Sequence, residues 1–95
     1  MLDQNDHTLF LERKRRTLKL LALLSNGLTP AQKTGVNEFI SNNELRLAVE
    51  FIVDFISEND SLISSEAFRL VEELMVDLKS DRSYTHLRSL VASAA

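Results

Sequence analysis

Apolar residues recur every three to four positions along almost the whole chain, the spacing of helices that bury one face. A first helix is predicted from about Thr8 to Ser25. It ends at Asn26-Gly27, where glycine takes a left-handed conformation without Cβ strain. Thr29, Pro30 and Gln32 form a capping box with proline at the first helical position, which starts a second helix over Pro30–Ser41. Gly35 weakens that helix by about 1 kcal/mol relative to alanine. Asn42-Asn43 breaks the chain, and Asn43 is the expected cap of a third helix from about Glu44 to Glu58.

The third helix is the most apolar. Leu45, Ala48, Val49, Ile52, Phe55 and Ile56 form one stripe, and Leu47, Phe51 and Val53 widen it far enough to predict a central helix contacted on two sides. The β-branched residues within 49–56 keep a strand reading open, but the spacing and length favour helix. Its wet strip is Arg46, Glu50, Asp54 and Ser57, with Glu58 at the margin. A loop follows, and Ser64 caps a fourth helix over about Ser65–Lys79. That helix buries Ala67, Val71, Leu74, Met75 and Leu78, with Phe68 and Leu70 beside them. It exposes Glu66, Arg69, Glu73 and Asp77, with Glu72 adjacent. A short fifth helix, about Ser83–Ala92, offers Leu87, Leu90 and Val91 to the core, and Ala94-Ala95 is expected to fray. The pattern predicts an all-α fold, a single domain over residues 1–95 built as a compact bundle of four to five short helices with the third at its centre.

Composition narrows the chemistry. Ninety-five residues suffice for one core, and 44% hydrophobic with 26% charged residues is an ordinary globular balance. The absence of cysteine excludes a disulfide framework, thiolate metal sites and a cysteine nucleophile. Two glycines and no G-x-S-x-G leave neither a phosphate-binding loop nor a nucleophile elbow. No catalytic residue, metal ligand set or cofactor site is therefore expected, and the chain reads as a non-enzyme. The run Glu58-Asn59-Asp60-Ser61 lacks the glycine and spacing of a calcium loop. Neither a targeting segment nor a membrane span is read, so a cytoplasmic protein is expected.

Charge is distributed unevenly. Residues 1–35 carry six basic against three acidic residues, residues 36–80 carry ten acids against three bases, and residues 81–95 add one net positive charge to reach the total of −3. The acidic middle favours a basic partner. The basic tetrad Arg13–Arg16 points in four directions on a helix, so nucleic acid is the disfavoured alternative. Glu50 and Asp54, four residues apart, admit three readings: an internal salt-bridge strip, with Arg46 one turn before Glu50; a face for a basic protein; or a metal site. The partner-binding residues expected on these grounds are Glu50, Asp54 and Glu58, then Glu73 and Asp77.

The stretch Glu44-Leu45-Arg46-Leu47-Ala48-Val49-Glu50-Phe51-Ile52-Val53-Asp54-Phe55-Ile56-Ser57-Glu58, followed by Ile63-Ser64 and a helix ending Leu74-Met75, resembles small helical immunity proteins of bacterial polymorphic toxin systems, particularly the MafI type. The resemblance spans roughly residues 35–91. Ser57 departs from it, standing where the family often has a large aromatic or aliphatic residue, and Val49 replaces the usual leucine. The resemblance implies a cytoplasmic inhibitor that binds, one to one as a monomer, the toxic C-terminal domain of a secreted or contact-delivered effector, often a nuclease. It carries over no catalytic residues. A nucleic-acid-binding regulator using the first helix and an adaptor for an amphipathic peptide are the alternatives.

Overall fold

A computed structural model of the protein describes the backbone of residues 4–92 and the side chains of residues 7–92. The order is α1 (Gln4–Leu24), a 3₁₀ turn (Ser25–Gly27), α2 (Pro30–Ser41), α3 (Leu45–Asn59), α4 (Ser65–Asp77) and α5 (Thr85–Ser89). The all-α bundle expected from the sequence is the fold observed. Helix α3 packs against α1, α2, α4 and α5 and so occupies the centre, while α4 also packs along α1. Ala48, Val49, Ile52 and Ile56 are fully buried on α3, facing Leu20, Val36, Val71, Leu74 and Leu87 from the other helices. The expected fraying of Ala94-Ala95 lies outside the described residues.

Local chemistry explains the element boundaries. The capping box is present in both directions: Gln32 N donates to Thr29 Oγ1 at 3.1 Å, and Thr29 N to Gln32 Oε1 at 2.9 Å. Ser64 Oγ accepts from Ala67 N at 3.1 Å and starts α4. Helices α2, α3 and α4 each end in a non-glycine residue with positive φ, namely Asn43 (63°), Asp60 (49°) and Lys79 (56°). Behind each, the next amide reaches back to the last turn: Glu44 N to Phe39 O, Ser61 N to Ile56 O, and Ser80 N to Met75 O. This is the Schellman closure of helix carbonyls.

Several boundaries correct the sequence reading. Asn43 terminates α2 instead of capping α3, whose cap residue Glu44 makes no side-chain bond. Lys79 turns left-handed, so α4 stops at Asp77. Helix α5 is shorter than expected because residues 90–92 leave it to pair with Ile63, with Ile63 N donating to Leu90 O and Ala92 N to Ile63 O. No glycine has positive φ; Gly27 is needed for space, since a Cβ there would sit 2.8 Å from both Ile56 Cδ1 and Ser61 Cβ. Its carbonyl accepts from Asn59 Nδ2 at 2.8 Å, which docks the α1–α2 turn on the end of α3.

Candidate protein-binding face

The dry side of α3 is narrower than its composition implied. Val53 is buried, but Leu47 and Phe51 are 37% and 36% exposed, and Phe55 is only partly buried. Leu47, Phe51, Asp54 and Glu58 follow one another at helical spacing and share one side of α3. Phe51 stacks on Phe39 of α2, with ring centroids 4.9 Å apart and planes within 16°, and meets Phe55 at 5.6 Å. The α2–α3 surface is thus an aromatic row bordered by carboxylates. Aromatic pairs in this geometry add about 0.5–1.5 kcal/mol beyond their buried area.

The five carboxylates expected to bind a partner do not form one strip. Glu50 is 8% exposed, and its carboxylate accepts from the Ser80 hydroxyl. The segment that leaves α4 covers it, which a helical projection of α3 alone does not show. Asp54 pairs with Arg82 on the same connecting segment. Asp77 accepts from Arg16 Nη2 at 2.6 Å and ties α4 to α1. Glu58 and Glu73 are exposed and have no side-chain partner among the described residues, but they stand on different helices. Of the pair for which an internal salt-bridge strip was one reading, Asp54 fits it, with Arg82 as its partner, whereas among the described residues Glu50 pairs with neither Arg46 nor any other cation; Asp77 is also in an internal pair, with Arg16. The metal reading has no support: among the described residues no group of three or more His, Asp or Glu side chains could hold a metal ion.

The basic tetrad is also dispersed. Arg13 is partly buried, Lys14 Nζ donates to Asn43 Oδ1 at 3.4 Å, Arg15 pairs with Glu12 at 2.8 Å, and Arg16 holds Asp77. The hydrogen bond from Arg15 keeps the Glu12 carboxyl below its ordinary pKa, and the same contact raises that of Arg15. These cations do not line one phosphate-binding groove. Other exposed aliphatics are Leu9, Leu11, Leu18 and Leu23 on α1, Leu62 and Val76. His86 Nε2 lies 2.9 Å from Asp60 Oδ1 and closes α5 against the end of α3. Among the described residues no helix is long and apolar enough to cross a membrane.

The chain matches no protein-family model, no curated protein and no solved structure. The functional reading therefore rests on the residues. Sequence reasoning missed Leu47 and Phe51 because it assigned every large apolar residue of α3 to the core, and it gave no binding role to Phe39 on α2. The available signal was the width of the stripe: nine apolar positions are more than one small bundle can cover.

Proposed function

We propose that this chain is an immunity-type inhibitor, acting in the cytoplasm, that docks on a cognate toxin domain through the α2–α3 face and blocks it sterically and electrostatically. One observation carries the reading: the stacked Phe39–Phe51 pair, one third exposed at Phe51, lies beside Leu47 and shares its helix side with Asp54 and Glu58. Rigid aromatic side chains at the centre of a patch supply most of the energy of a protein interface. Carboxylates beside them select a basic partner and speed its approach. A nuclease must present a basic cleft to its polyanionic substrate, and such a cleft complements this face. Arg82, bound to Asp54, is displaced or retained as a rim contact when a partner cation arrives. The nucleic-acid alternative loses support because Arg15 and Arg16 pair with Glu12 and Asp77 within the chain.

The proposal requires a toxin domain encoded in an adjoining reading frame, and the test is co-expression with it. Growth arrest by the toxin should be relieved by the wild-type chain, and the two proteins should co-purify. Phe51→Ala, checked to be folded, should weaken binding by about 2 kcal/mol, roughly thirtyfold in Kd. Persistent arrest with no complex would refute inhibition, and wild-type affinity in Phe51→Ala would remove this face from it.

A further inference from the structure

A second surface has the opposite charge. A groove of about 390 Å³ runs between α1 and the α2–α3 connection, with walls of Leu9, Phe10, Leu45 and Leu78. Arg13 and Arg46 complete its lining, and Asn43 stands at its edge. Lys14 Nζ reaches Asn43 Oδ1 at 3.4 Å, which brings a third cation to that edge. The groove is thus locally cationic on a chain whose net charge is −3.

Two details show that these cations are not committed to the fold. Arg46 is exposed and forms no ion pair among the described residues; the carboxylate one turn along α3, Glu50, accepts from Ser80 instead. Arg13 forms no ion pair among the described residues either, and its Nε, like that of Arg16 outside the groove, is buried without an acceptor. Buried donors without partners are rare in native proteins, and each calls for an explanation. A guanidinium matches a carboxylate with two parallel hydrogen bonds, a geometry lysine cannot supply. The groove volume sits at the small end of ligand sites. Leu9 at its wall is 44% exposed, so an alkyl chain of any length would run out into water. One or two side chains fit the space.

We propose that this groove is a docking site for a short acidic–aliphatic segment of a partner protein, with an aliphatic side chain between Phe10, Leu45 and Leu78 and an adjacent carboxylate on Arg13 and Arg46. The site is independent of the toxin reading: it has its own residues and selects the opposite charge. If both surfaces act on one partner, their opposite signs fix its orientation.

The probe is a capped pentapeptide with leucine at its centre and glutamates on both sides, titrated into the isotopically labelled full chain. The readouts are the arginine Nε–H resonances and the leucine methyl resonances of Leu45 and Leu78. Saturable shifts at Arg13 Nε–H and both methyls are expected, with weak affinity. Arg46→Gln, at an exposed position, should weaken binding about tenfold, the lower end of what a hydrogen bond to a charged group contributes. Arg13→Gln should abolish the Nε–H signal and weaken binding similarly. Peptides with lysine in place of glutamate, or serine in place of leucine, should give no saturable shift. The proposal is overturned if the acidic peptide shifts none of these resonances, if the lysine peptide binds equally, or if Arg46→Gln binds like wild type. It is also overturned if decanoate or a single-stranded oligothymidylate saturates the groove at lower concentration than the peptide, which would assign the site to a lipid anion or to nucleic acid.

Discussion

At the residue scale, carboxylates that look alike in the sequence do different work. Glu50 is buried against Ser80, so its loss acts on folding. Glu50→Ala leaves the Ser80 hydroxyl without its acceptor and should cost about 1–3 kcal/mol in chemical denaturation. Glu58→Ala, exposed and without a side-chain partner among the described residues, should leave the denaturation midpoint unchanged. Equal midpoints for the two variants would contradict the burial of Glu50. Glu12 offers a pH test. Its folded pKa is lowered by Arg15, so the pair stabilises α1 above the ordinary glutamate pKa of about 4.3 and loses that contribution as pH falls through the lower folded value. The melting temperature of Glu12→Gln should lie slightly below wild type at neutral pH and converge with it in acid or at high salt, because the pair is fully exposed. A gap that widened in acid would reverse the assigned sign. These roles were not readable from the chain: Ser80, Arg82 and Asp77 lie 30, 28 and 61 residues from Glu50, Asp54 and Arg16.

At the element scale, what was legible is what is encoded locally. The start of α2 follows from Thr29, Pro30 and Gln32, all within one turn, and the start of α4 follows from Ser64. The end of α2 at Ser41 was also legible, but the way α2, α3 and α4 close was not, because Asn43, Asp60 and Lys79 adopt left-handed backbone that glycine usually supplies and the tertiary fold imposes here. The two glycines make the contrast measurable. Gly35 lies within α2 with open space where a Cβ would project, so Gly35→Ala should raise stability by about 0.5–1 kcal/mol. Gly27→Ala drives a methyl against Ile56 and Ser61 and should lower it by about 1–3 kcal/mol. Thermal or urea denaturation of both variants checks the pair. Two shifts of the same sign would show that the α1–α2 turn is not seated on α3 as described.

At the scale of the whole molecule, α3 has an inner side that holds the bundle together and an outer side proposed for recognition. Its inner stripe meets four other helices, so Ile52→Ala should cost about 2–5 kcal/mol, a large share of a typical stability of about 5–15 kcal/mol. Its outer side, Leu47 and Phe51 with Asp54 and Glu58, contributes less to the fold and is the surface assigned to the partner. The sequence carried the central position of this helix but not that division. A stripe of apolar residues reports how much surface is dry-seeking, and the number of neighbouring helices decides how much of it is covered. The molecule, about 47 × 26 × 22 Å, leaves the α2–α3 side uncovered by any other helix of the bundle in the region of Phe51. The most direct measurement is the amide hydrogen-exchange footprint left on this chain by the toxin domain that the proposed function requires. Protection concentrated at the α2–α3 face, around Phe39, Leu47, Phe51 and Glu58, is the predicted result. A footprint confined to α1 around Leu11, Arg15 and Leu18, with exchange around Phe51 unchanged, would contradict it.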